Sequence, residues 1–216
     1  MRAVVTLSGS PSARSRSAFL LDLMEDALRA RGVAVRRIAI RELPPAALLH
    51  ADWGDPVLRE ALQAVAQAPA VVVATPLYKA AYAGLLKSFL DLLPQTALEH
   101  KPVLPLATGG SLAHLLALDY ALKPVLAALG ARYVLSNVFA TEQDLPEAGA
   151  GYRLGEEVAT RLDAGVEALV QALDDAAALR RWRDGMDLGA GQVLAPVMQP
   201  LASVRRRPRG LERVAG

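Results

Sequence analysis

The chain has 216 residues, 53% of them apolar, and no cysteine. Its length suits one domain with a full core. The missing cysteines exclude disulfides, thiolate metal sites and a cysteine nucleophile, and a reducing, cytoplasmic setting is expected. The net charge is +2, but residues 176–216 alone carry +5, with eight arginines between Arg180 and Arg213, so residues 1–175 carry −3. A mildly acidic body with a basic, solvated tail argues against a nucleic-acid partner. No apolar run approaches the roughly 20 residues of a membrane span, and the opening residues read as a first strand, not a signal peptide.

The elements follow in chain order. Residues 3–8 read as a strand, and 18–31 as a helix with Leu20, Leu21, Met24, Ala27 and Leu28 on one face and Gly32 as its stop. Residues 33–40 alternate as a second strand. Pro44-Pro45 breaks the chain, and Asp55-Pro56 caps and opens a helix that buries Leu58, Leu62 and Val65. Residues 70–75 form a continuous β-branched run, as in a strand covered on both faces. A helix over 84–93, a fourth strand over 102–108, a long helix over 113–129, a fifth strand over 132–139 and a last helix over 154–178 complete the pattern. The Arg-rich segment 179–216 is expected to be a flexible tail on a 1–178 domain.

Five strands alternating with helices give an α/β fold, a doubly wound parallel sheet with helices on both faces. The usual five-stranded order is 2-1-3-4-5. Ligands then bind beyond the carboxyl ends of the strands, at the switch between strands 1 and 3. Three unusual strand-to-helix loops fall at that end. The first, 9–17, packs hydroxyls and two arginines into a helix start, where free backbone N–H groups and the helix dipole favour a phosphate. Ser10, Ser15, Arg16 and Ser17 are the expected phosphate ligands, while Ser15 or Ser17 also suits a helix N-cap. The second loop is Thr75-Pro-Leu-Tyr-Lys-Ala-Ala-Tyr-Ala-Gly84, and the third is Ala107-Thr-Gly-Gly-Ser111. Proline, tyrosine and a glycine pair beside a phosphate cradle suit a flat, aromatic, phosphorylated ligand. The Gly-x-x-x-x-Gly-Lys and Gly-x-Gly-x-x-Gly fingerprints are both absent, which favours a monophosphate such as FMN.

The blocks Gly9-Ser-Pro, Ser15-Arg-Ser17, Ala74-Thr-Pro-Leu-Tyr-Lys-Ala-Ala-Tyr82, Leu90-Asp-Leu-Leu-Pro94, Leu104-Pro-Leu-Ala-Thr-Gly-Gly110 and Asp119-Tyr-Ala-Leu-Lys-Pro-Val125 resemble the NADPH-dependent FMN reductases of two-component alkanesulfonate monooxygenase systems. The likeness covers about residues 1–175. The chain departs from the pattern at Leu77, where valine is common, and in its longer Arg-rich tail. The resemblance implies a flavodoxin-like fold, a homodimer or homotetramer, and reduced FMN handed to a separate flavin-dependent monooxygenase.

On this reading Pro76, Leu77 and Tyr78 flank the isoalloxazine ring and ribityl chain. Thr108, Gly109 and Gly110 meet the pyrimidine edge through backbone amides, and Ser111 is a further contact or a helix cap. Arg14 reaches a phosphate of FMN or NADPH, or lies in solvent; Lys79 is equally open. Hydride passes from NADPH to the flavin itself, so no catalytic side chain is expected. No metal-ligand spacing surrounds His114, which is read as structural or at the flavin edge. Reductases of this type carry a helix irregularity near the position of Tyr120, which marks Tyr120 as a subunit-interface residue close to the flavin. Two rivals share the fold: a quinone or azo reductase with resident FMN, and a flavodoxin-like electron carrier.

Overall fold

The computed structural model describes residues 2–149 and 151–189. Two compact units divide the chain, Met1–Leu179 and Arg180–Gly216; the sheet and the candidate site belong to the first. β1 (Ala3–Ser8) leads through the hydroxyl-rich turn into α1 (Arg16–Ala30) and β2 (Ala34–Ala39). The Ser15 hydroxyl accepts from the Ala18 N–H at 3.1 Å, so it is the cap of α1. After a 3-10 turn and the short α2 (Pro45–His50), α3 (Pro56–Gln67) starts on Asp55, whose carboxylate accepts from Leu58 N–H at 2.9 Å. Next come β3 (Val71–Tyr78), the two-residue β4 (Ala81–Tyr82), α4 (Gly84–Leu90) and β5 (Pro102–Gly109).

Two regions differ from the periodicity reading. The expected helix over 113–129 is three pieces: a 3-10 turn (Leu112–Leu115), a π turn (Leu118–Leu122) and α5 (Lys123–Ala128). Pro124 has no N–H to offer a carbonyl four residues back, and the register slips just before it. Lys123 N–H instead reaches the Leu118 carbonyl, five residues away, and Pro124 falls in the first turn of α5, where no donor is needed. The expected fifth strand is likewise split into β6 (Tyr133–Val134) and β7 (Val138–Thr141), both parallel to β5. Leu135 N–H still donates to Val103 carbonyl at 2.8 Å before the chain leaves the ladder.

The sheet runs β2-β1-β3-β5-β6, with β7 continuing along the upper part of β5. With β4 set aside as a hairpin partner of β3, this is the 2-1-3-4-5 order of a flavodoxin-like fold. Successive strand residues point to opposite faces. Val71 and Val73 enter one core, against α3, α4 and the π turn; Val72 and Ala74 enter the other, against α1 and α6. A small antiparallel hairpin, β8 (Glu147–Ala148) and β9 (Gly151–Tyr152), precedes α6 (Glu156–Gly189). α6 continues past the expected end at residue 178, so the first part of the Arg-rich segment is helical; residues 190–216 of the expected tail lie outside the described residues. Among the described residues no helix is long and apolar enough to cross a membrane.

A buried carboxylate fixes α1 on the sheet. Glu25 is 2% exposed. It accepts from the Thr6 hydroxyl of β1 at 2.6 Å, from Arg37 Nε of β2 at 2.7 Å and from Arg29 of its own helix at 2.7 Å. Each partner would be left short of a hydrogen bond if the carboxylate were removed. Glu25→Ala is therefore expected to lower folding stability by about 2–3 kcal/mol, read as a shift in the urea midpoint with little change in slope.

Candidate active site at the carboxyl edge of the sheet

Where β1 and β3 diverge, the chain passes Gly9 at very close range. Gly9 N–H donates to Ala74 carbonyl at 2.8 Å, and a Cβ there would lie 2.8 Å from Leu86 Cβ and 3.0 Å from the Ala74 oxygen. Beyond Gly9 the turn closes on itself. Ser10, 1% exposed, accepts from Ser12 N–H at 3.2 Å, and the Ser12 hydroxyl donates to the Arg14 carbonyl at 2.9 Å. α1 follows, with the N–H groups of Arg16 and Ser17 beyond the reach of any carbonyl within the helix.

The second wall is a tight hairpin rather than an open loop. Tyr78 pairs with Ala81 across a two-residue turn in which Lys79 (φ 50°) and Ala80 (φ 59°) are both left-handed. That geometry matches the twist of a hairpin but normally draws Asn and Gly. Thr75, fully buried, fastens the hairpin base: its hydroxyl donates to the Pro76 carbonyl at 2.9 Å and accepts from Ala83 N–H at 3.0 Å. Burial pushes the Tyr82 phenol above its ordinary pKa.

The third wall is the end of β5. A Cβ on Gly109 would meet His114 Cβ at 3.0 Å and the Phe139 ring at 3.2 Å. The imidazole thus packs behind the glycine turn, and its Nδ1 is, among the described residues, the buried side-chain polar atom without a hydrogen-bond partner. His114 supports this wall from the protein side.

The three walls enclose a cleft of about 230 Å³. Small-molecule pockets hold roughly 300–1,000 Å³, so this cleft is small by comparison. Of the expected site residues, Ser15, Arg16, Pro76, Leu77, Tyr78, Thr108, Gly109 and Gly110 line the cleft. Ser10, Ser17 and Ser111 do not. Ser10 and Ser17 are buried under the turn, with Ser17 Oγ 3.3 Å from Ser15 Oγ, and Ser111 is exposed beyond the rim. Tyr120, 80% exposed, lies outside the cleft lining. Ser12, Arg14, Glu142 and Tyr152 also line the cleft.

Glu142 and Tyr152 went unnoticed in the sequence because both follow the last strand of the main sheet and neither belongs to a motif. They come to the cleft through Arg16. Its Nε donates to the Leu145 carbonyl at 3.1 Å, its guanidinium lies 5.2 Å from the centre of the Tyr152 ring, and one terminal nitrogen is 3.6 Å from Glu142. The Tyr152 ring in turn packs against Phe19 of α1, centroid to centroid 5.7 Å.

Comparison with known proteins fits this geometry. The model of the NADPH-dependent FMN reductase family matches residues 2–146. An FMN reductase (NADPH) of Pseudomonas putida is 51% identical over 142 residues, covering 66% of this chain and 72% of the relative. One from Escherichia coli is 46% identical over 170 residues, covering 79% and 89%. Among solved structures, the apo form of the NADH:FMN oxidoreductase EMOB superposes with a TM-score of 0.71 at 41% identity, over 78% of this chain and 88% of that one. The matched residues include all three walls of the cleft, and the chain belongs to the NADPH-dependent FMN reductase family.

Proposed function

We propose that this NAD(P)H-dependent FMN reductase uses FMN as an exchangeable substrate and supplies reduced FMN to a separate flavin-dependent monooxygenase of the sulfonate-sulfur type. The observation that carries the site assignment is the convergence of the α1 start, its arginines and the Gly109-Gly110 turn on one open cleft. FMN, when bound, supplies the hydride acceptor for the nicotinamide. The chain binds and orients. The α1 N-terminus with Ser15, Arg14 and Arg16 holds the phosphate. Pro76 and Leu77 bound the ring on one side, and the backbone of Thr108–Gly110 meets its polar edge, where N–H groups favour added negative charge. The open face admits the nicotinamide. The relatives from Pseudomonas putida and Escherichia coli, at 51% and 46% identity, support NADPH as the donor.

Self-association completes this reading. Leu112, Leu116 and Tyr120 are 64%, 59% and 80% exposed along the irregular segment behind the glycine turn. Apolar side chains grouped in this way suit a second copy of the chain. Leu116→Asp together with Tyr120→Asp is expected to reduce the assembly to a smaller species by light scattering; an unchanged mass places the interface elsewhere.

In flavin-depleted protein, NADPH oxidation is expected to depend on added FMN and to saturate with it. Oxidation that proceeds without added FMN would remove the flavin-substrate reading, and oxidation that needs a quinone or azo compound with stoichiometric FMN would favour the resident-flavin rival. Gly109→Ala is expected to raise the FMN KM about tenfold, the scale of an overpacked contact, because the new methyl displaces the turn from His114 and Phe139. An unchanged KM would take the turn out of the flavin wall.

A further inference from the structure

Arg16 is held by more of the protein than a phosphate ligand requires. Its Nε is bound by the Leu145 carbonyl at 3.1 Å and its flat face lies 5.2 Å from the Tyr152 ring centre. These two contacts already fix the guanidinium. The Glu142 carboxylate adds no hydrogen bond, because its oxygen is 3.6 Å from the nearest guanidinium nitrogen. It does add a negative charge beside the cation that faces the cleft.

Nor is that charge placed by a loose loop. Thr141, at the end of β7, donates its N–H and its hydroxyl to one oxygen of Asp144 at 2.7 and 2.8 Å, and Arg161 approaches the same oxygen at 4.0 Å. Asp144 is thereby engaged inside the turn, and Glu142, next to Thr141, is left 61% exposed at the cleft rim. The charged groups of the rim are then Arg14, Arg16 and Glu142, with the α1 N-terminus behind them. A phosphate monoester carries about −1.5 to −2 at neutral pH, so the carboxylate both repels it and competes with it for Arg16.

We propose that Glu142 sets the affinity of the site: its carboxylate competes with the ligand phosphate for Arg16 and keeps phosphorylated flavin exchangeable. A cleft built for retention would surround the phosphate with cations alone. Here one rim anion offsets part of their field, and the offset falls on the dianionic end of the ligand rather than on the ring. The inference rests on the reading that the phosphate lies at the start of α1.

The test compares FMN with riboflavin, which lacks the phosphate, in wild-type protein and in Glu142→Gln. Dissociation constants come from fluorescence titration at low and high salt, with thermal melting to confirm that both proteins are folded. Wild type is expected to bind FMN more tightly than riboflavin. Glu142→Gln is expected to tighten FMN about three- to tenfold, the scale of one exposed charge acting on a dianion, to leave riboflavin unchanged, and to lose most of its advantage at high salt. FMN affinity that falls or stays the same in the variant overturns the proposal, a fall meaning that Glu142 positions Arg16 instead. Equal binding of FMN and riboflavin by wild type overturns the phosphate assignment itself, which is a separate and recognisable outcome.

Discussion

The site depends on the contact of Gly9 with β3 and α4. At the point where β1 leaves the sheet, its backbone touches the Ala74 carbonyl and the flank of Leu86 with no room for a side chain. Real Cβ atoms do not approach at such distances, so glycine is required by space rather than by its dihedral angles. The contact joins two walls of the cleft. The hydroxyl-rich turn starts one residue later, and the hairpin at 75–83 starts one residue beyond Ala74. What separates the two walls is therefore fixed by backbone pairing, the β1–β3 ladder extended by the Gly9 bond of 2.8 Å, not by flexible side chains. Glu25 then sets the third dimension, since it ties the body of α1 to both β1 and β2.

Much of this was legible in the chain because two periodicities dominate it. The run at Val71–Ala74 feeds two cores by simple alternation, and the caps at Ser15 and Asp55 mark helix starts with side chains that do bind the backbone there. Eight of the expected cleft residues meet in space because strand ends in a parallel sheet converge on one edge. What was hidden had no local signature. Lys79 and Ala80 give no hint of a left-handed pair, and the strain of that turn is held by Thr75 and by strand pairing. The π turn that precedes Pro124 follows from where the chain recovers its hydrogen bonds. Glu142 and Tyr152 enter through Arg16, and a contact across so much sequence leaves no pattern in either segment. Ser10 and Ser17 lie outside the cleft lining for the opposite reason: a hydroxyl-rich turn spends some hydroxyls on its own closure.

Charge in this molecule follows two rules according to depth. Glu25 is buried and fully engaged, so its role is geometric. Glu142 at the cleft rim is solvated and makes no hydrogen bond to Arg16, so on the proposal above it tunes how strongly a ligand is held without shaping the fold. This separation lets binding strength change by substitution at the rim while the sheet and its helices stay intact.

The packing of His114 behind Gly109 makes positions 109, 114 and 139 one steric unit. No one of them can gain or lose volume without the others sensing it, and the effects of paired changes there will not add. Under the proposed flavin placement, the back of the glycine turn is the adjustable depth of the slot. Trimming the imidazole and refilling the space from the Phe139 side moves that wall while the backbone of the turn keeps its chemistry.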